Sequence, residues 1–252
     1  ELTYGNMVTI TDEVKQSDLA NTYSLTDGLL ETSARRVTQY VYNGDYGSNK
    51  VKFGAYYGGS SKRNIKNVDL KNNRKNTWGT GLIFNHEIDS IQNVTVAAGF
   101  TRQISENANK TAYYSNAYAL GLAYNFVHTT YGLDLAHKDT KNKGGAGNKV
   151  KNNEVTAVIR QGLNEDWNVY AMYSYKTEKT LPVGSAYSKS TDRQFLVGTE
   201  YYVFKQGSVK VKPFIEWQAT RTKYENTFDK DSGKQLDRSR DFKTVIGLRA
   251  YW

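Results

Sequence analysis

Apolar and polar side chains alternate along most of this chain with a period of two. In the closing stretch Phe242, Thr244, Ile246, Leu248, Ala250 and Trp252 share one face. Asp241, Lys243, Gly247, Arg249 and Tyr251 share the other, and Val245 is its one apolar intruder. Val51, Phe53, Ala55 and Tyr57 oppose Lys50, Lys52, Gly54 and Tyr56 in the same way. Trp78, Leu82 and Phe84 oppose Thr77, Gly79, Gly81 and Asn85, with Ile83 as the exception. Successive side chains of a strand point to opposite faces, so the pattern is that of strands with two unlike faces. It predicts strands near 1–6, 35–43, 50–59, 77–87, 93–103, 113–126, 130–139, 154–163, 168–178, 192–204, 209–222 and 240–252.

The connections add what no single strand carries. After the segment 7–34 they are alternately short (44–49, 88–92, 127–129, 164–167, 205–208) and long (60–76, 104–112, 140–153, 179–191, 223–239). The short ones hold Asn, Gly and Asp, as tight hairpins require. A soluble sandwich has no reason to gather its long loops at one end, whereas a transmembrane barrel has tight turns below and long loops outside. The expectation is therefore all-β: a transmembrane antiparallel β-barrel of about twelve visible strands, forming one domain over 1–252.

Composition sharpens this. Mean hydropathy is -0.69, and the 252 residues include twenty tyrosines and no cysteine. Low hydropathy fits a barrel, because only one face of each strand meets lipid. The absence of cysteine excludes disulfides and thiolate metal sites. The net charge of +9 is spread along the chain, which favours solvated loops and walls over nucleic-acid binding. His86, His128 and His137 have no serine spaced beside them as a hydrolase would need, and "DKDSGK" lacks the closing glutamate of a calcium loop. No enzyme activity, cofactor or metal is expected.

Three stretches, toward the two ends of the chain, carry a resemblance. "LTYGNMVTITDEV" and "ARRVTQYVYNGDYGSNKVKFGAYYGG" are similar to the third-loop junction and return hairpin of Gram-negative general porins. "VKPFIEWQATRTKYENTFDKDSGKQLDRSRDFKTVIGLRAYW" resembles the closing hairpin of the Pasteurellaceae branch. The chain departs from the pattern at Trp252, where the family usually has Phe, and in lacking the enterobacterial Pro-Glu-Phe-Gly-Gly-Asp of the third loop. The resemblance implies a sixteen-stranded homotrimeric porin of the outer membrane, passing small hydrophilic solutes and ions by passive diffusion. "ELTYGN" is short for a spanning strand, so the expectation is of a chain whose N-terminal strands are missing, with a complete small barrel of about twelve strands as the competing reading. A structural or adhesive barrel without an open pore is the alternative.

In that family the third loop folds inward and narrows the pore. The resemblance thus implies a constriction at 7–34, with Asp12, Glu13, Asp18, Asp27 and Glu31 facing Arg35 and Arg36. Arg36 is expected to point inward, which would put Val37 on the lipid side. By parity the lumen wall carries Lys50, Lys52, Lys138, Arg160, Lys176, Lys210, Lys212, Lys243 and Arg249 against Asp134, Glu154, Glu178, Glu200, Glu216 and Asp241. The basic loop run Lys62, Arg63, Lys66, Lys71, Arg74 and Lys75 is a candidate for lipopolysaccharide phosphates. Tyr251 and Trp252 are the expected signal to the barrel-assembly machinery, and the Trp252 ring suits the headgroup level.

Overall fold

β-Branched and aromatic residues at every second position pack well on a pleated surface and disfavour helix. The computed structural model describes residues 1–60, 73–106, 112–142, 149–181, 187–226 and 235–252. These form thirteen strands: β1 (Leu2–Val8), β2 (Ser33–Tyr46), β3 (Asn49–Gly58), β4 (Asn73–Asp89), β5 (Gln92–Glu106), β6 (Ala112–Phe126), β7 (Thr129–Asn142), β8 (Lys149–Gly162), β9 (Trp167–Leu181), β10 (Ser188–Tyr201), β11 (Phe204–Gln206), β12 (Val209–Asn226) and β13 (Gln235–Tyr251). All pair antiparallel in one sheet, each with its sequence neighbour except at β11. The expected strand 192–204 breaks at Tyr202–Val203, where the Tyr202 N–H turns aside to Asp166 O. β11 is the remnant, a short ladder on the start of β12, while β10 pairs β12 directly. Among the described residues β1 pairs only β2 and β13 only β12, so both are sheet edges.

The sheet is apolar outside. Tyr57, Phe53, Trp217, Ile215 and Ile246, all on the alternation's apolar face, are exposed. A face of this kind is stable only against lipid, and no described helix is long and apolar enough to cross a membrane. Aromatic rows mark its upper rim. Trp78, Phe100 and Tyr118 adjoin one another across β4, β5 and β6 with centroids 5.0 Å apart at each step. Phe195, Trp217 and Phe242 continue the row on β10, β12 and β13 at 6.5 and 6.1 Å. Phe242 on β13 and Trp252 just past its end are ten residues apart. At about 3.4 Å per residue and a tilt of about 40° they are separated by roughly 26 Å along the membrane normal, the height of a barrel's apolar band.

The inner face is not uniformly polar. Val37, Val41, Ala97, Ala117, Val158, Met172 and Leu196 lie on lumen parity and are buried. They pack beneath residues 9–32, which run between β1 and β2. Val37 is thus a correction to the expected register: it is fully buried against Ile10 and does not face lipid. A bulge shifts the β1–β2 pairing between Gly5 and Met7, opposite Arg35 and Arg36. Arg36 takes a positive φ of 52°, and Ala34 and Val37 both turn inward around it. Simple alternation fails across a bulge because one strand has an extra residue there.

Candidate functional site

Residues 9–32 have little secondary structure of their own, only one 3-10 turn at Ile10–Val14. Their backbone N–H groups must find partners elsewhere. The wall supplies carboxylates. Asp134 of β7 accepts from Gln16 N at 2.9 Å and from Ser17 N at 2.8 Å, and from the Ser17 hydroxyl at 2.6 Å. Glu154 of β8 accepts from Asp27 N at 2.7 Å and Gly28 N at 3.1 Å. Glu216 of β12 accepts from the successive N–H groups of Asn21, Thr22 and Tyr23, the last two at 3.0 Å, and from the Tyr170 hydroxyl at 2.6 Å. Glu200 of β10 accepts from Asn21 Nδ2 at 2.8 Å. Hydrogen bonds to an ionised acceptor are roughly twice as strong as neutral ones, so four wall carboxylates hold the segment firmly.

The path follows from these contacts. The segment leaves β1, crosses β3 to β7 by Ser17, reaches β12 at Asn21 to Tyr23, and returns past β8 to enter β2. Flat, strands β3 to β12 would spread over roughly 40 Å at about 4.8 Å per strand. One short segment touches both ends, so the sheet curls around it.

Glycines let the backbone approach. Gly54, Gly81, Gly99, Gly121 and Gly132 lie at lumen parity on β3 to β7, directly under the segment. A Cβ on Gly54 would meet Ile10 Cβ at 3.0 Å, and one on Gly132 would meet Gln16 O at 2.6 Å. Apolar plugs fill the rest: Ile10 with Val37, Val41 and Tyr56, Val14 and Leu30 with Ala97 and Ala117, and Leu25 with Val158, Met172 and Leu196. Ile83, the exception in the alternation, packs against the first two of these groups.

Every one of the five carboxylates expected at the constriction meets a cation. Asp12 and Asp18 flank Lys15 of the same segment at 3.3 and 3.5 Å. Burial disfavours the Lys15 ammonium, but the two aspartates outweigh it and hold its pKa above the ordinary lysine value. Glu13 pairs with wall Lys52 at 2.5 Å, Asp27 with Lys176 at 2.5 Å, and Glu31 with Lys138 at 3.2 Å. The arrangement is a strip of segment carboxylates facing wall lysines across β3, β7 and β9.

Arg35 and Arg36 do not complete it. Neither forms an ion pair with the five carboxylates. Arg35 lines a recess of about 680 Å³ with Glu31, Arg74, Gln103, Lys138 and Thr140, and its carbonyl accepts from Arg74. Arg36 does not line that recess, and its N–H donates to Asn6 Oδ1 at 3.2 Å. The positions that turn inward on either side of the pair are Ala34 and Val37, and both arginines are exposed, so the inward place expected of Arg36 is not taken by it.

The other wall cations divide by depth. Arg160 and Lys212 both pair with buried Glu200 beneath Asn21, so they serve the anchor and do not present free charge. Lys50 pairs with Glu87 at 2.6 Å and Lys243 with Asp241 at 2.9 Å. Lys210 and Arg249 have no ion-pair partner among the described residues. Arg249 lies opposite Lys212, whose ammonium stands 5.8 Å from the Tyr251 ring. Trp252 is exposed on the outer side. Lys62, Arg63, Lys66 and Lys71 fall outside the described residues, as do "DKDSGK" and its glycine. Lys75 pairs with Glu106. No group of three or more metal-ligating side chains occurs among the described residues.

Alternation missed the anchoring role of Asp134, Glu154, Glu200 and Glu216, which it placed on the open lumen. The available signal was glycine at lumen parity on five successive strands, a smooth track with nothing evident to cover it.

No protein-family model matches the chain, and no curated protein matches it in sequence. Solved structures do. OmpT of Vibrio cholerae in its trimer form, an outer membrane protein, superposes with a TM-score of 0.65 at 14% identity, covering 100% of this chain and 76% of the other. Outer-membrane expressed OmpT of the same species gives 0.66 at 16% identity over the same shares. The anion-selective porin from Comamonas acidovorans gives 0.57 at 14% identity, covering 99% of this chain and 72% of the other. With the lipid-ready outer face and the alternation of turn lengths, these place the fold: the chain folds as an antiparallel β-barrel of the outer-membrane kind.

Proposed function

We propose that the chain forms a passive diffusion pore for small hydrophilic solutes and ions in the Gram-negative outer membrane, working as a homotrimer and catalysing no reaction. The observation that carries this reading is the strip of carboxylates on residues 12–31 facing Lys52, Lys138 and Lys176 across the inner side of the sheet. Charges of both signs lining a narrow aqueous lumen orient dipolar solutes and set ion preference. A merely structural barrel needs no such facing rows. Lys210 and Arg249, on lumen parity and without an ion-pair partner among the described residues, tip the balance toward anions. The anion-selective porin among the fold neighbours and the trimer form of another support the selectivity and the assembly. Affinity of this chain for lipopolysaccharide and for the barrel-assembly machinery belongs to the same reading.

The test is conductance. Protein extracted from outer membranes and added to a planar bilayer should give discrete steps, in multiples of three if the trimer inserts whole. Its reversal potential under a salt gradient should show a modest anion preference. A bilayer that stays silent with correctly folded protein would leave the structural barrel as the reading.

A further inference from the structure

The outer face carries a second constellation that conduction does not use. At the long-loop end of β10, β12 and β13, the register sets Arg193, Arg221 and Arg240 side by side across three strands. The next row outward is Thr191, Lys223 and Arg238. By parity all six are on the outer face, since Phe195, Trp217 and Phe242 follow on the same sides and are exposed. Five cations thus occupy two adjacent rows, roughly 10 Å across and 7 Å deep. Thr191, Arg193, Arg221, Lys223 and Arg238 enclose a cavity of about 140 Å³.

Like charges placed opposite each other in a sheet are destabilising. Little among the described residues relieves them. Lys223 pairs with Glu225 at 2.6 Å, and the Arg193 guanidinium lies 6.0 Å from the Tyr175 ring centroid. Arg193, Arg221 and Arg238 have no ion pair or side-chain hydrogen bond among the described residues. A counter-anion from outside would resolve the repulsion, and planar guanidinium groups are suited to phosphate oxygens.

Position says where the anion comes from. Going inward from the arginine row, the next outer-face rows are Phe195–Ala219–Phe242, then Val197–Trp217–Thr244, then Thr199–Ile215–Ile246. Cation, aromatic and aliphatic layers follow one another as a lipid's phosphate, interface and acyl chains do. The arginine row lies six residues along β12 from Ile215. That is about 20 Å of tilted strand, or roughly 15 Å of depth, half the thickness of a hydrocarbon core. We infer that Arg193, Arg221, Lys223 and Arg238 form a binding site for the phosphate groups of an outer-leaflet glycolipid. The site rests on the outer-membrane reading but not on conduction, and it is separate from the loop run at Lys62–Lys75.

Protein extracted from outer membranes, stripped of lipid and held in mild detergent, is titrated with bis-phosphorylated lipid A, with its dephosphorylated form and with inorganic phosphate. Wild type should bind the phosphorylated glycolipid on the order of a thousandfold more tightly than the triple variant Arg193→Gln/Arg221→Gln/Arg238→Gln, since each charge-assisted contact is worth on the order of tenfold. The dephosphorylated form should bind wild type no better than the variant does. Lys151→Gln, on the outer face of β8, should leave binding unchanged. The triple variant should keep wild-type conductance. If it does not fold, Arg221→Gln alone should cost on the order of tenfold in affinity. Equal glycolipid affinity in wild type and a folded variant would overturn the site, as would inorganic phosphate binding as tightly as the glycolipid. Recovery of the protein from another compartment would overturn the membrane reading itself.

Discussion

Gly132 shows how much one missing side chain can decide. A Cβ there would meet Gln16 O at 2.6 Å and Val158 Cγ1 at 2.7 Å, and the first contact is backbone that cannot swing aside. Gly132→Val should therefore lift residues 16–17 off the wall and break their bonds to Asp134 without unpairing the strands, because the ladder lies in the sheet plane. Single-channel conductance should rise and become noisier, while the heat-resistant folded band persists. Gly59→Val, where an added Cβ meets nothing within 4 Å, should behave as wild type. Unchanged conductance in a folded Gly132→Val protein would show that the segment does not limit the bore. At this scale the sequence was readable for chemistry only. Asp134, Glu154 and Glu216 could be assigned to the inner face by parity, but a carboxylate bound to three backbone N–H groups and one open to water look alike in one dimension.

Strands and their faces were the most legible elements. Period-two alternation is local, so twelve strands and the identity of the outer face followed from neighbours along the chain. The failures are local too. Val37 and Arg36 fell on the wrong sides because the bulge opposite Asn6 inserts a residue that alternation cannot see. β11 separated from β10 because Tyr202 bonds to a turn far away in sequence. The two faces make a measurable contrast. Ile215→Arg puts a charge against lipid near mid-height and should destabilise the barrel by ~2–4 kcal/mol in denaturant titrations. Asn152→Arg stands on lumen parity, within reach of Glu178, which now accepts from Asn152 Nδ2 at 2.9 Å. It should change stability little. Equal losses at the two positions would mean that the faces are misassigned.

For the whole molecule, the proposed selectivity rests on wall lysines more than on the arginine pair. Lys138 and Lys176 pair with Glu31 and Asp27 on the inner face, at 3.2 and 2.5 Å, whereas Arg36 lies outside the recess. Ions passing a narrow gap come within a Debye length of roughly 8 Å at physiological salt, so screening does not hide these groups. Lys138→Gln with Lys176→Gln should move the reversal potential toward cations, and Arg36→Gln should move it much less. The opposite ranking would return the constriction to the arginine pair. By itself the sequence determined that the chain is all-β, which side of each strand is apolar, which end bears the long loops, and that residues 7–34 are an exceptional connection. These are written in short-range periodicity and composition. Only the tertiary structure decided that the connection crosses the inner face, that glycines on five strands make room for it, and that wall carboxylates hold it while wall lysines answer its charges. Such contacts join residues more than a hundred positions apart, as Gln16 to Asp134 and Asn21 to Glu216 do. Their geometry depends on how far a twisted sheet curls, a property of all its strands together and of no single one.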